Sequence, residues 1–377
     1  MSVISTCALR AFRSTDTMRR DDARERTSVF RALRGAVPAL AAVVATVFSL
    51  HAHASSATPA DASATAANTA VTSDGAAGAY PQRAMTLIVP FPAGGPADIV
   101  ARLYAQQLSE LTGQSVVVEN PAGAGGTIGT RAAAQAKPDG YTLLFGTTST
   151  MVINQLIMNN IPYDFDRDFT VLGLIANAPH VLAVRGNFPA QDVKTLVEMA
   201  RKDPGKYSFA SSGVGTIVQM GAELFRLEND IDLLHVPYKG GGPATLALVS
   251  GDVDMTVNDM TTLKPLIADN RLRPLAVLHD QRLSLLPDVP TFAELGKPSV
   301  HSSTWWGLAV RSDTPKEIQE ALRELHTKVI RNEKYKERLA EMAVETLDLP
   351  PEQTAAFMQQ EKEKWARVVK EANISTN

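Results

Sequence analysis

MTLIVPFPAGGPAD, residues 85–98, and SVVVENPAGAGGTIG, residues 115–129, each run a short β-type segment into a glycine-rich turn. Behind the first turn, Val100, Leu103, Tyr104, Leu108 and Leu111 recur at helical spacing and predict a helix over Asp98–Leu111, closed by Gly113. Ser115–Glu119 is apolar almost throughout, the pattern of a strand covered on both faces of a parallel sheet. Strand, glycine turn and helix bring bare backbone N–H groups and a helix N-terminus to one place, an arrangement suited to an anion. No catalytic nucleophile or metal-ligand cluster accompanies these turns, so they point to holding a small anion rather than transforming it.

The same alternation continues. Thr127–Ala136 predicts a helix ended by the turn sequence Lys137-Pro138-Asp139-Gly140, and Tyr141–Phe145 a strand leading into the polar turn Gly146–Thr150. Val181–Val184, Tyr207–Ala210, His235–Tyr238 and Asp254–Val257 read as strands, with helices over Val193–Lys202, Ile217–Leu227 and Ala244–Ser250. A strand at Trp306–Val310 and two long helices follow, one carrying Ile318, Leu322, Leu325 and Val329 on a face, the other across Glu352–Ala372. This order predicts an α/β fold with a parallel, doubly wound core and two lobes joined by crossing strands.

The first 79 residues read differently. Ala36–Leu50 is an apolar run of secretory-signal length preceded by Arg24, Arg26, Arg31 and Arg34, and Ala52-His53-Ala54 predicts cleavage after Ala54. Residues 1–54 are therefore expected to be a signal peptide, with Met18 an alternative start. Residues 55–79 are a low-complexity Ala/Ser/Thr tract, expected to be a flexible leader. Of 37 basic and 40 acidic side chains, 8 and 6 fall in those 79 residues, leaving the folded part with a net charge of −5. Such a balance argues against nucleic-acid binding. Cys7 precedes the apolar run, so no cysteine remains for disulfide or thiolate–metal chemistry.

Several motifs are weighed against plain structural roles. The turn Phe91–Asp98 either approaches a ligand through Gly94 and Gly95 or is a tight turn with a capping Asp98. The loop Gly123–Gly129 fails as a dinucleotide fingerprint, because Ile128 stands where the third glycine belongs; close packing is its expected job. Ser211–Thr216 combines hydroxyls and glycines at the carboxyl end of a strand, the edge where open α/β sheets bind ligands. Gly146–Thr150 shares that chemistry. His180, His235, His279, His301 and His326 show no metal-ligand spacing, and no Gly-x-Ser-x-Gly elbow is present. Trp305-Trp306 reads equally as a pocket floor or a strand entering a core.

Together these motifs resemble the periplasmic substrate receptors of tripartite tricarboxylate transporters, the Bug family. The resemblance rests on Tyr80-Pro81, Ile88–Phe91 with Gly94, Gly95 and Asp98, Gly113–Asn120, Gly123–Gly126, Pro138–Leu144, Asp168-Phe169, His235–Gly240, Val289–Thr291 and Trp306–Leu308. It implies a type II, Venus-flytrap binding protein with a parallel-core sheet in each lobe, residues 80–180 with 306–377 forming one and 181–305 the other. It further implies a periplasmic, non-catalytic receptor that needs no cofactor or metal and hands a small carboxylate to a membrane permease, as a monomer by default. A sensor of the same fold that signals to a membrane kinase is the alternative. By the same resemblance the ligand contacts are Phe91, Gly94, Gly95, Ala97 and Asp98 in the first turn and Ser211, Gly213, Gly215 and Thr216 in the second. Thr147, Ser149, Thr150 and Asp259 join them, and Trp306, Met151 or Met260 are candidates for the ligand's far end. The chain departs from the family pattern at Ala93, commonly a proline, and at Gln219, commonly a histidine.

Overall fold

In the computed structural model Tyr80–Ser375 are the described residues; the expected signal peptide, the alternative start Met18 and the Ala/Ser/Thr leader lie outside them. β1 (Met85–Ile88) pairs in parallel with β2 (Val116–Glu119) on one side and β3 (Thr142–Thr147) on the other. Between them run α1 (Pro96–Thr112) and α2 (Thr127–Ala134), and the short helices α3 (Asn154–Ile157) and α4 (Phe165–Asp168) follow β3. The second half repeats the scheme. β5 (Ser208–Ser211) lies between β6 (Leu234–Pro237) and β7 (Met255–Asp259), again in parallel. Its helices are α5 (Val193–Lys202), α6 (Ile217–Glu228), α7 (Gly241–Ser250) and α8 (Met260–Ala268).

Two long antiparallel strands join the halves: β4 (Phe169–Arg185), and β9 (Ser303–Arg311), which follows β8 (Leu272–Val277) in the chain. β4 pairs with β9 over Phe169–Pro179, then passes to β7 and β8 over His180–Arg185. The strands thus run in the order β2-β1-β3-β9-β4-β7-β5-β6. The expected parallel core is present in each half, and the crossing strands that join the halves pair antiparallel with it. β4 is 17 residues long where only Val181–Val184 was expected. Gly173, Pro179 and register shifts at Val171/Gly173 and Leu174/Ala176 break its two-residue period and hide it.

Each half is covered on both faces. In the first, Tyr104, Phe145 and Trp306 pack with α1, α9 (Lys316–Ile330) and α10 (Glu333–Ala340). On its opposite face Trp305, Met151 and Trp365 pack with α11 (Pro351–Glu371). In the second half Phe209, Phe225 and Phe292 fill one face, and Val181, Leu248 and Leu263 the other. β2, by contrast, is an edge strand, and its Val117 is half exposed although an apolar run implied full burial. Among the described residues no helix is long and apolar enough to cross a membrane.

Candidate functional site

The carboxyl ends of β1, β3, β5, β6 and β7 converge on a cleft between the halves, with a cavity of about 120 Å³. Four helices start at its wall: α1 behind Gly94–Pro96, α6 at Ile217, α7 behind Gly240 and α8 behind Asp259. A helix N-terminus carries N–H groups with no partner in the helix and a partial positive charge. Among the described residues Ala97, Asp98, Val218, Gly241 and Gly242 donate their backbone N–H to no protein acceptor. The halves touch across the cleft, where the Ile217 N–H donates to Ser149 Oγ at 3.0 Å. A Cβ on Gly240 would stand 3.4 Å from Pro92 Cγ, and at φ +108° that position favours glycine on conformational grounds too.

Two buried side-chain donors face the same space. Trp306 and Asn258 line the cleft, and neither Trp306 Nε1 nor Asn258 Nδ2 has a hydrogen-bond partner. An unmet buried donor costs about 1–3 kcal/mol, so these two are groups that an incoming acceptor would relieve. Consecutive strand residues face opposite ways. Trp306 accordingly looks into the cleft while Trp305 donates Nε1 to Glu361 Oε2 at 2.9 Å on the other face. The doublet serves both roles that its sequence left open. Lys239, exposed at the rim, is the only cationic side chain among the lining residues.

Of the sequence-predicted contacts, Phe91, Gly94, Gly95, Ala97, Thr147, Ser149 and Asp259 line this cleft. Asp98 sits behind the wall, where its Oδ2 accepts from the Gly94 N–H at 2.8 Å and from Arg102 Nε at 2.9 Å. Burial opposes its charge, but those hydrogen bonds outweigh it and hold the carboxyl below its usual range. Thr150 is bound up with Thr147, its Oγ1 accepting from the Thr147 N–H at 3.0 Å.

The second predicted turn engages the Ser211 and Thr216 hydroxyls and the Gly215 amide within the fold, while its Ser212 lines the cleft. Ser211 Oγ pairs with His235 Nε2 at 2.6 Å, and Thr216 Oγ1 donates to the Gly213 carbonyl at 2.8 Å. The Gly215 N–H donates to Gln219 Oε1 at 2.9 Å, so the residue that departs from the family pattern caps this turn from inside. Ser211, Gly215 and Thr216 do not line the cleft; Gly213 borders the adjoining cavity of about 790 Å³. Gly123, Ala124 and Gly125 line that second cavity as well, so the loop read as scaffold also has an open side. Its packing role is visible at Gly129, where a Cβ would meet Pro90 and the Pro121 carbonyl at 2.8 Å. Met151 packs on Gly146 and Gly307, and Met260 lies in the core under β8; neither lines the cleft.

The turn that sequence reasoning passed over is Lys239–Pro243. Its signal was present: three glycines followed by a proline at a helix start, directly after a strand. Asn258 and Thr304 were also missed, because nothing local marks either as facing a cleft. Thr304 Oγ1 contacts His180 Nε2 at 2.9 Å, and His180 Nδ1 contacts Ser302 Oγ at 3.0 Å. Burial lowers the pKa of His180 to about 3, so the ring is neutral, and its one donor and one acceptor nitrogen are divided between Thr304 and Ser302. Gly221 on α6 makes room for this network, since a Cβ there would lie 2.7 Å from Ser302 Oγ.

Asp259 ends β7 and caps α8 through Oδ1, which accepts from the Thr261 N–H at 3.1 Å and from the Thr261 hydroxyl. It is 1% exposed, and burial raises its pKa to about 6 against the hydrogen bonds from Thr261. Among the described residues no group of three or more His, Cys, Asp or Glu is placed to hold a metal.

A cleft walled by helix N-termini between two α/β lobes, with unmet donors and one rim cation, defines a solute-binding receptor of the periplasmic binding protein class. The chain belongs to the tripartite tricarboxylate transporter receptor family, whose model matches residues 100–374. This family comprises receptors and is not an enzyme class, and its members are periplasmic binding proteins. The chain is similar to the protein BugT of Bordetella pertussis, 34% identical over 78% of this chain and 90% of that one. Among solved structures it is similar to Rpa4515 of R. palustris with adipate, at 33% identity, TM-score 0.75, and 78% and 99% coverage. It is likewise similar to MatC from Rhodopseudomonas palustris with bound malate, at 30% identity, TM-score 0.71, and 77% and 100% coverage.

Proposed function

We propose that this chain is an exported, periplasmic receptor that binds a small carboxylate in the cleft and delivers it to a tripartite tricarboxylate-type permease. Residues 80–180 with 306–377 act as one lobe and 181–305 as the other, closing on the ligand about β4 and β9. The observation that carries this reading is the set of unmet donors on one cleft: the N–H groups of α1, α6 and α7 with Trp306 Nε1 and Asn258 Nδ2. Neutral donors of this kind match the oxygens of a carboxylate, and they leave no buried cation unpaired when the cleft is empty. Closure excludes water and strengthens each hydrogen bond in a less polar site. The carboxylates bound by the adipate and malate structures support the same class of ligand.

The test is titration calorimetry of the purified protein against mono-, di- and tricarboxylates, acidic amino acids and aromatic acids. At least one acid is expected to bind and to raise the melting temperature progressively as its concentration exceeds its Kd. Silence across the whole panel would sink the reading.

A further inference from the structure

One oxygen of Asp259 contradicts the rest of the cleft. Every other polar group singled out on the wall is a donor or a hydroxyl, yet Asp259 is an acid, buried to 1% exposure and in no ion pair among the described residues. Its capping duty uses Oδ1 alone, through the Thr261 N–H and hydroxyl. Oδ2 accepts from no protein donor among the described residues. A carboxylate ligand held by neighbouring N–H groups would meet this second negative group unless something lay between them. A bound metal would need several oxygen ligands, and among the described residues Asp259 is the only carboxylate lining the cleft.

The neighbouring residue supplies the complementary half. Asn258 Oδ1 accepts from the Asp259 N–H at 3.0 Å, which fixes the amide and leaves Nδ2 unpaired toward the start of α7. A Cβ on Gly241 would lie 3.6 Å from that Nδ2, so the free donor stands beside the free N–H groups of Gly241 and Gly242. Asn258, Asp259, Gly241 and Gly242 all line the one cleft, so a donor cluster and an unpaired acceptor border the same small cavity.

Building on the carboxylate reading above, we propose that Asp259 makes this receptor select acids bearing a hydroxyl or ammonium group on the second or third carbon. The carboxylate oxygens take Asn258 Nδ2 and the α7 amides, and the ligand's own O–H or N–H donates to Asp259 Oδ2. A bare acid of the same length leaves Oδ2 unmet and places two negative groups together, so it is rejected. Hydroxyl and ammonium present the same donor chemistry, and the ligand set distinguishes them.

The experiment is titration calorimetry with matched acids: succinate, malate and aspartate, and alongside them propionate, lactate and alanine. Wild-type protein is expected to bind the hydroxyl or ammonium member of a series about ten-fold or more tighter than the bare member. Asp259→Asn keeps a good N-cap and the side-chain shape while removing the charge, and it is expected to erase most of that preference. Wild-type protein that binds the bare acid as tightly as its substituted partner overturns the inference, and that comparison needs no variant. A preference that survives in Asp259→Asn overturns it as well, reducing Asp259 to a cap. Failure of all six acids, with another carboxylate of the wider panel binding, overturns the inference and leaves the carboxylate reading standing; failure of every carboxylate overturns both.

Discussion

Two glycine turns of the second half start helices within a short distance of each other, and they do opposite things with their polar groups. Ser211–Thr216 ties the Ser211 and Thr216 hydroxyls to His235 and Gly213 and its Gly215 amide to Gln219, leaving only Ser212 on the cleft wall. Lys239–Pro243 leaves the Gly241 and Gly242 amides without acceptors and carries the one cation of the cleft wall. In sequence the first looks richer, with two serines, a threonine and two glycines. What separates a binding turn from a self-contained one is therefore which donors remain unmet after folding, and hydroxyl and glycine content does not report that.

The largest effect expected from this comparison concerns the buried histidines that serve each side of it. His235 holds the self-contained turn and its pKa is lowered to about 4 by burial; His180 holds Thr304 on the cleft wall and is lowered to about 3. His326, in the first half, is also lowered to about 4 by burial, its Nε2 donating to the Leu174 carbonyl. Each binds fewer protons folded than unfolded between pH 6.5 and its folded value. Their stabilisation is whole above pH 6.5 and is lost as pH falls through that window, on the order of 3 kcal/mol by pH 4 for each of the fully buried His180 and His326 and less for the partly solvated His235. Asp259 has the opposite sign, since its raised pKa makes stability fall as pH rises from 3.8 to about 6. The three histidines outweigh it, so denaturant midpoints should drop steeply below pH 6.5, and His326→Phe should flatten that slope without altering ligand affinity.

Next in size is Gly240→Val. A side chain there strains a φ of +108° and pushes toward Pro92, obstructing the contact between the halves. Affinity for any acid that binds should fall about 100-fold or more, near 2.7 kcal/mol. Calorimetry run beside a thermal melt separates this from unfolding. Gln219→Leu should do the reverse, leaving the Gly215 N–H unmet in the self-contained turn. It should cost about 2 kcal/mol of stability in urea while affinity changes less than ten-fold. If Gln219→Leu abolished binding at unchanged stability, the two turns would have been assigned the wrong way round. Trp306→Phe removes one unmet donor and keeps the ring packing on Phe145, so a loss of about ten-fold in affinity is expected. Lys239→Met should be the mildest change, about three-fold, because a single exposed charge is screened.

Much of the architecture was legible in the sequence. Val193–Lys202 was delimited residue for residue, and α1, α6 and α11 within a few positions, because apolar residues at helical spacing and Gly113 as a stop are local signals. β4 was not legible over Phe169–His180, since bulges and Pro179 spoil its alternation and only the partner strands make it extended. α10 escaped because it is mostly charged and buries only Tyr335 and Leu339. At the site, Phe91, Gly94, Gly95 and Ala97 follow from strand–turn–helix logic. Asn258 and Thr304 do not, because their exposure to the cleft depends on how β7 and β9 are set on either side of β4. Gln219 was noticed only as a departure, and its bond to Gly215 gives that departure a physical job.

The central claim is that neutral, unmet donors hold the anion and that Lys239 contributes little. Titration calorimetry of the carboxylate panel at low and high salt tests it most directly. The account predicts saturable binding of at least one acid, with affinity changing less than about three-fold between 20 and 300 mM salt. Failure of every acid to bind, or an affinity that collapses with salt as attraction to an exposed cation would, contradicts it.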